Sequence, residues 1–76
     1  MNRLKELREA KGLTQTDVAL RLGTTQPTVD RHERGDRGLS GFAIEGYARL
    51  YGVAPAELFT RKPVPAESSE EVEYQY

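Results

Sequence analysis

The sequence predicts an all-α fold, a compact bundle of five short helices followed by an extended acidic tail, and three observations support this. Apolar residues recur at helical spacing through most of residues 1–60. Glycines stand where four of these segments end, and threonines stand where two of them begin. Strand-like alternation is confined to the last residues of the chain. We therefore expect one small helical domain over residues 1–60 and a separate tail over residues 61–76.

The composition excludes several classes of protein. There is no cysteine and no cysteine–histidine cluster, so we expect neither disulfides nor a metal site, and nothing in the sequence requires a cofactor. No apolar run approaches the ~18 residues of a membrane span, and the charged first segment does not resemble a signal peptide. A single histidine, with serines only at positions 40, 68 and 69, leaves no nucleophile with an orienting partner. We expect a cytoplasmic protein with no catalytic residues, no membrane contact and no enzymatic activity.

The net charge of −1 conceals an asymmetry between the domain and the tail. Residues 1–62 hold all eleven lysines and arginines against eight acids, which leaves them at +3. Residues 63–76 hold four glutamates and no base, which leaves them at −4. A mildly basic domain permits nucleic-acid binding without proving it, since strong binders usually show a clearer basic bias.

The first two helices are predicted from their ends as well as from their apolar faces. Residues 2–11 precede Gly12, which favours the end of a helix. Thr14 and Asp17 have the spacing of a capping box, in which each side chain accepts a hydrogen bond from the backbone N–H of the other residue. Gly23 then ends the second helix at a position that tolerates positive φ. The apolar residues expected to pack inward from these two helices are Leu4, Leu7, Val18, Ala19 and Leu22.

Three further helices are predicted in the second half of the domain. Thr25 is expected to cap the third, because Pro27 then falls in the first turn, where its missing N–H breaks no intrahelical bond. Gly35 ends that helix. Residues 41–51 form the fourth helix, and Pro55 begins a short fifth helix within "APAELF". The residues expected to pack inward from these helices are Val29, Ile44, Tyr47, Ala48, Tyr51, Leu58 and Phe59.

Residues 61–76 have two interpretations that the sequence leaves open. Prolines, paired serines and a run of glutamates are typical of a solvated, disordered tail. The last seven residues, "EEVEYQY", also alternate Val72, Tyr74 and Tyr76 with polar residues, which is the periodicity of a strand. Such a strand needs a partner, so it would pair with the same strand of a second chain or lie on the helical body.

Residues 13–35, "LTQTDVALRLGTTQPTVDRHERG", join two capped helices through a single glycine, and this unit resembles a helix-turn-helix. Together with "LREAKGLTQ" before it and "YARLYGVAPAELF" after it, the chain is similar to the Cro/phage-repressor type (the XRE family) from about Leu4 to Phe59. The resemblance implies a lambda-repressor-like fold in a prokaryotic or phage-encoded protein. It also implies a sequence-specific regulator of transcription, a dimeric repressor that reads an inverted-repeat operator on duplex DNA with its third helix.

The start and the outer face of the third helix carry side chains suited to reading bases. In a helix-turn-helix the second helix of the unit lies in the major groove with its N-terminal residues at base edges. The amide of Gln26 suits adenine N6 and N7, and Arg31 suits guanine O6 and N7. Thr28 can bond a base edge or touch a thymine methyl, and Pro27 can only make apolar contact. We predict that these four residues contact bases.

The resemblance also implies roles outside this helix face. Gln15 matches a family glutamine that contacts a DNA phosphate, and Arg37 lies in a loop region that commonly does so. Thr25 and Arg34 are further candidates for phosphate contacts. Arg8 and Glu33 match a family pair that forms a structural salt bridge between the first and third helices. The dimer surface implied by the family involves the fifth helix and the chain after it. The dimer contacts expected there are Leu58, Phe59, Val72, Tyr74 and Tyr76.

Three residues depart from the family pattern. His32 occupies a position that usually faces the core with an apolar side chain, and either a packed neutral histidine or a pH-sensitive switch fits it. Asp30 places an acid on the recognition helix, where it would either disfavour some sequences or accept from a cytosine amine. Leu20 replaces a position that is usually polar, and either an idle exposed leucine or part of a contact surface fits it.

A second class of function competes with DNA reading. Domains of this type also serve as protein-interaction modules, and an antitoxin would combine DNA binding by the helices with a protein partner bound by the acidic tail. RNA binding is less well supported, because the chain shows no interleaved basic and aromatic surface for stacking unpaired bases.

Overall fold

The computed structural model of the protein describes residues 2–35 and 38–60, which form a bundle of helices and contain no strand. The helices are α1 (Leu4–Ala10), α2 (Gln15–Leu22), α3 (Gln26–Arg34), α4 (Gly41–Tyr51) and a 3-10 helix (Pro55–Leu58). The prediction of an all-helical fold is confirmed. The predicted fifth α-helix is instead a single 3-10 turn, since the amide of Glu57 reaches only as far back as the carbonyl of Ala54 (2.9 Å). The strand proposed for the tail lies outside the described residues.

The start and the end of α2 follow local chemistry that the sequence predicts. The hydroxyl of Thr14 accepts from the backbone N–H of Asp17 (3.0 Å), and the Asp17 carboxylate accepts from the backbone N–H of Thr14 (2.9 Å). That backbone hydrogen bond favours the ionised carboxylate and holds the pKa of Asp17 below its usual value. Gly23 ends the helix with φ +70°, in the left-handed region that glycine adopts without a Cβ clash. The capping box and the glycine stop are both confirmed.

The starts of α3 and α4 differ from the predicted capping. Thr25 is the N-cap of α3, but its hydroxyl does not cap the helix and lies 2.8 Å from the hydroxyl of Thr28. Pro27 has no N–H to offer, and the N–H of Thr28 is already bonded to the carbonyl of Thr25 (3.1 Å). On α4, Ser40 caps the helix by accepting from the N–H of Ala43 (3.1 Å), a role that the sequence analysis did not assign.

The core collects one or more side chains from every helix. Its buried residues are Leu4, Val18, Ala19, Val29, Tyr47, Ala48, Tyr51 and Leu58. Leu7, Leu22 and Ile44, which were also predicted to face inward, are partly buried against this cluster. Phe59 was expected to help cover the core but is 48% exposed. Leu58 alone fills that role from the 3-10 helix, because the two adjacent side chains of one turn point in different directions.

The end of the described chain is fastened to the start of α1. The backbone N–H of Arg3 donates to the carbonyl of Leu58 (2.7 Å). The Arg3 guanidinium donates to the carbonyls of Glu57 (3.0 Å) and Thr60 (2.8 Å). These bonds hold the 3-10 helix over α1, and with it the position of Phe59.

No helix within residues 2–35 and 38–60 has the length and apolar character needed to cross a membrane.

Candidate nucleic-acid interface

The outer face of α3 is free of the core and carries the side chains that the sequence singled out. Gln26, Pro27 and Arg31 are exposed and Thr28 is partly buried. Val29, which lies nearly opposite Pro27 and Arg31 around the helix, is fully buried. Packing through Val29 therefore turns the predicted base-reading face away from the bundle, as a helix that enters a DNA groove requires.

A chain of amide hydrogen bonds joins the N-terminal ends of α2 and α3. The Gln26 Nε2 donates to Gln15 Oε1 at 2.5 Å. The Gln15 Nε2 in turn donates to Asp30 Oδ1 (3.2 Å) and to Glu33 Oε1 (3.0 Å). The structure thus brings a predicted phosphate contact, Gln15, into direct contact with a predicted base reader, Gln26. It also brings in two acids of α3 whose link to Gln15 the sequence analysis missed.

Arg8 and Glu33 form a two-point ion pair between α1 and α3. The Arg8 Nε lies 2.7 Å from Glu33 Oε2, and its Nη2 donates to Glu33 Oε1 (3.3 Å). The hydrogen bond with Glu33 raises the pKa of Arg8. The remaining Arg8 Nη1 donates to the carbonyl of Leu13 (2.9 Å), just before α2. The two side chains are only 11% and 3% exposed, so the pair fixes α3 against α1 and the α2 entrance with little competition from water.

The predicted phosphate contacts occupy different environments. Both N–H groups of the Gln15 side-chain amide are used inside the protein, so this side chain has no donor left for a phosphate oxygen. The backbone amides of Gln15 and Thr16 lie in the first turn of α2 and make no hydrogen bond within the described residues, so the helix end itself can receive an anion. Arg34 forms an ion pair with Asp30 (3.1 Å) on the exposed side of α3. Arg37 lies outside the described residues.

His32 is packed against α4 and lies away from the base-reading face. Its Nδ1 lies 2.8 Å from the hydroxyl of Tyr47, and the two rings meet edge to face. Burial raises the pKa of Tyr47, so its hydroxyl keeps its proton at neutral pH, and the tautomer of His32 decides which of the two groups donates. Burial, with a smaller contribution from the charge of Arg31, lowers the pKa of His32. The geometry fits the packed neutral histidine.

The residues expected to contact a second chain differ in how exposed they are. Leu58 is fully buried within the protomer and offers no surface to a second chain, whereas Phe59 is 48% exposed. Val72, Tyr74 and Tyr76, the other expected dimer contacts, lie outside the described residues. Leu20 is 76% exposed, and Phe42, which the sequence analysis did not single out, is 88% exposed. The sequence did contain an indication of this exposure. Phe42 is the second residue of α4 and is out of phase with Ile44 and Tyr47, which face the core.

Residues 2–35 and 38–60 contain no group of three or more histidine, cysteine or acidic side chains arranged to hold a metal ion. A cleft of about 250 Å³ lies between the end of α2, α3 and the start of α4, and its lining is mostly apolar. His32 and Tyr47 lie in that lining, and they are bonded to each other.

Comparison with known proteins gives two matches and one negative result. Residues 2–59 match the protein family described as helix-turn-helix domain. Among solved structures, the chain is similar to the high-resolution crystal structure of the restriction-modification controller protein C.AhdI from Aeromonas hydrophila. The two are 42% identical, the match covers 75% of this chain and 86% of the other, and the TM-score is 0.69. A search of curated proteins found no match.

Proposed function

We infer that this chain, which belongs to the helix-turn-helix domain family and is a DNA-binding transcription regulator, reads an inverted-repeat operator as a homodimer and represses transcription. The observation that carries the proposal is the outer face of α3. It presents Gln26, Pro27 and Arg31 to solvent while Val29 anchors the helix in the core. We propose that α3 enters the major groove, with Gln26 and Arg31 as its principal base contacts and Thr28 and Pro27 beside them.

Phosphate contacts would set the register of α3 on the duplex. The free backbone amides at the start of α2 suit one phosphate, and Arg34 and Arg37 are candidates to bind others through their positive charge. Thr25, at the start of α3, is the remaining candidate. These contacts supply affinity that depends on salt and carries no sequence information directly, so they leave the choice of operator to the base-reading face.

Two copies related by a two-fold axis would read the two halves of the operator. Half-site centres would lie about 34 Å apart, one turn of the double helix. Phe59 supports this arrangement because it is half exposed on a segment that Arg3 fastens rigidly to α1. We propose that Phe59 and the chain after it form the dimer contact. Leu58 would act only by holding that segment in place.

The similarity to a restriction-modification controller supports a more specific setting. We propose that this chain likewise controls restriction–modification genes in the cytoplasm of a prokaryote, that it has no enzymatic activity, and that it uses no cofactor.

A pool of random DNA duplexes tests the proposed function directly. The full chain would be mixed with the pool at moderate salt, and the retained duplexes would be sequenced. Enrichment of an inverted repeat with half-sites one turn apart is the expected result. Enrichment of a single asymmetric half-site would contradict the dimer, and no enrichment by a folded protein would contradict sequence-specific DNA reading.

Binding of a protein partner through the tail is the second candidate function. The −4 charge of residues 63–76, together with their two tyrosines, favours a basic protein surface as the partner. Replacing Gln26 and Arg31 with alanine separates the two functions. DNA binding should be lost, whereas a partner held by the tail should still be retained on the variant.

A further inference from the structure

The carboxylates of Asp30 and Glu33 converge on one amide group of the neighbouring helix. Both accept from the Nε2 of Gln15, at 3.2 and 3.0 Å, so each of its two N–H groups has an acidic partner. These acids lie one turn apart on α3, the same helix that carries Gln26. Gln26 therefore bonds to Gln15, and Gln15 is in turn held by acids of the recognition helix itself.

Acids in these positions fix which way the Gln15 side-chain amide is turned. An amide can turn over and exchange its oxygen and nitrogen, but an ionised carboxylate only accepts hydrogen bonds. Turning the Gln15 amide over would place its oxygen against two carboxylates. The Gln15 Oε1 is therefore held toward Gln26, and since this oxygen only accepts, Gln26 must direct its own Nε2 toward it. One N–H and the Oε1 of Gln26 remain for a base.

A single donor beside a single acceptor discriminates between the two purines. Adenine offers the N7 acceptor and the N6 amine donor in the major groove, which match this pair, whereas guanine offers two acceptors, N7 and O6. We propose that Asp30 and Glu33 are positioning residues that fix the orientation of the Gln15 and Gln26 amides, and thereby make Gln26 prefer adenine to guanine. The inference rests on the proposed function, because it requires that Gln26 contact a base.

Asp30 is the member of this set that can be changed without breaking the core. Glu33 is 3% exposed and bound to Arg8, whereas the Asp30 side chain is 38% exposed. Its second oxygen, Oδ2, lies 3.1 Å from Arg34 Nη2 in an ion pair. An asparagine at this position has one acceptor oxygen in place of the two that now face Gln15 and Arg34, and so loosens the constraint on Gln15.

The charge of Asp30 allows its effect on overall DNA affinity to be separated from its effect on the choice of base. As an acid beside the DNA backbone it weakens binding to every sequence, so its removal should leave overall affinity unchanged or tighter. As a positioning residue it sharpens the choice of base, so its removal should reduce discrimination. Replacing a residue that served only to support the fold would not produce this combination of unchanged or tighter binding and reduced discrimination.

The test uses the full chain with Asp30→Asn, and with Glu45→Gln as a control that removes one acidic charge from an exposed site on α4. Gln26→Ala first identifies the base pair whose preference depends on Gln26. The measured quantity is the Kd for the duplex with adenine changed to guanine at that pair, divided by the Kd for the selected duplex. Asp30→Asn should reduce this ratio by about threefold or more, a partial loss of the discrimination that a bidentate base contact supplies. Glu45→Gln should leave the ratio unchanged.

Two further measurements connect any change to the amide chain. With Gln26→Ala already present, Asp30→Asn should produce no further change in the ratio. In the protein without DNA, the side-chain amide protons of Gln15 and Gln26 should exchange with water faster in Asp30→Asn than in the parent, as NMR would record.

Each contrary outcome has a distinct meaning. If Gln26→Ala abolishes a base preference that Asp30→Asn leaves intact, the positioning role is refuted and the proposed function stands. If Asp30→Asn lowers the ratio equally with and without Gln26, the acid acts by another route and the inference fails. If Gln26→Ala alters no base preference, the proposed reading of DNA by Gln26 fails and the positioning role fails with it.

Discussion

Removing Arg8 is expected to destabilise the whole domain, because it would strand a buried acid. Arg8→Met deletes two hydrogen bonds to Glu33 and one to the carbonyl of Leu13. It leaves Glu33, whose side chain is 3% exposed, with Gln15 as its remaining hydrogen-bond donor among the described residues. Breaking one side of a buried pair costs about 3–5 kcal/mol. A chain of this length has a total stability of roughly 4–11 kcal/mol, so the variant should be marginally folded.

Urea unfolding followed by circular dichroism measures this loss, and a second replacement tests its cause. Arg8→Met combined with Glu33→Gln removes the buried charge while keeping an oxygen that accepts from Gln15. The double variant should therefore recover most of the loss. Arg49→Met, an exposed arginine of α4, is the matched control and should change stability by less than about 0.5 kcal/mol. If Arg8→Met were no worse than Arg49→Met, or if the losses at Arg8 and Glu33 simply added, the reasoning would be refuted.

Three further predictions concern pH, salt and the tail. The folded protein lowers the pKa of His32, so stability should fall as pH drops from about 6.5 through that lower pKa, and urea titrations of His32→Gln should lack this part of the decline. Arg37→Ala should weaken binding to all duplexes alike and reduce the slope of log affinity against log salt by about one, as fluorescence anisotropy would show; a change confined to one sequence would contradict a phosphate contact. Deleting residues 66–76 should weaken dimerisation in sedimentation equilibrium if the tail contributes to the interface, and an unchanged dimer would exclude that role.

Much of the fold follows from short-range rules that the sequence displays. The capping box of Thr14 and Asp17, and the glycine that ends α2, depend on residues at most a few positions apart. The same is true of α4, whose predicted span of 41–51 matches Gly41–Tyr51. Local spacing determines these features because the hydrogen bonds involved close within one helical turn.

The remaining features depend on how elements approach one another, which spacing does not determine. The sequence predicts Gln15 at the start of α2. Whether its side-chain amide donates to Asp30 and Glu33 of α3 depends on the distance between the two helices. The choice of Leu58 over Phe59 as the core residue depends on how the 3-10 turn docks on α1. The hydroxyl of Thr25 turns to that of Thr28 because Pro27 has no N–H and the N–H of Thr28 is taken by the carbonyl of Thr25.

Reading of bases by the outer face of α3 is the central claim, and a base-by-base affinity scan tests it most directly. Each base pair of the selected operator would be changed in turn, and the Kd of the parent and of Gln26→Ala would be measured at one fixed salt concentration. The account predicts that Gln26→Ala loses about 1–3 kcal/mol on the operator, and that this loss disappears when one base pair in each half-site is already changed. A loss of equal size on every duplex, or none at all, would show that α3 does not read the operator through Gln26.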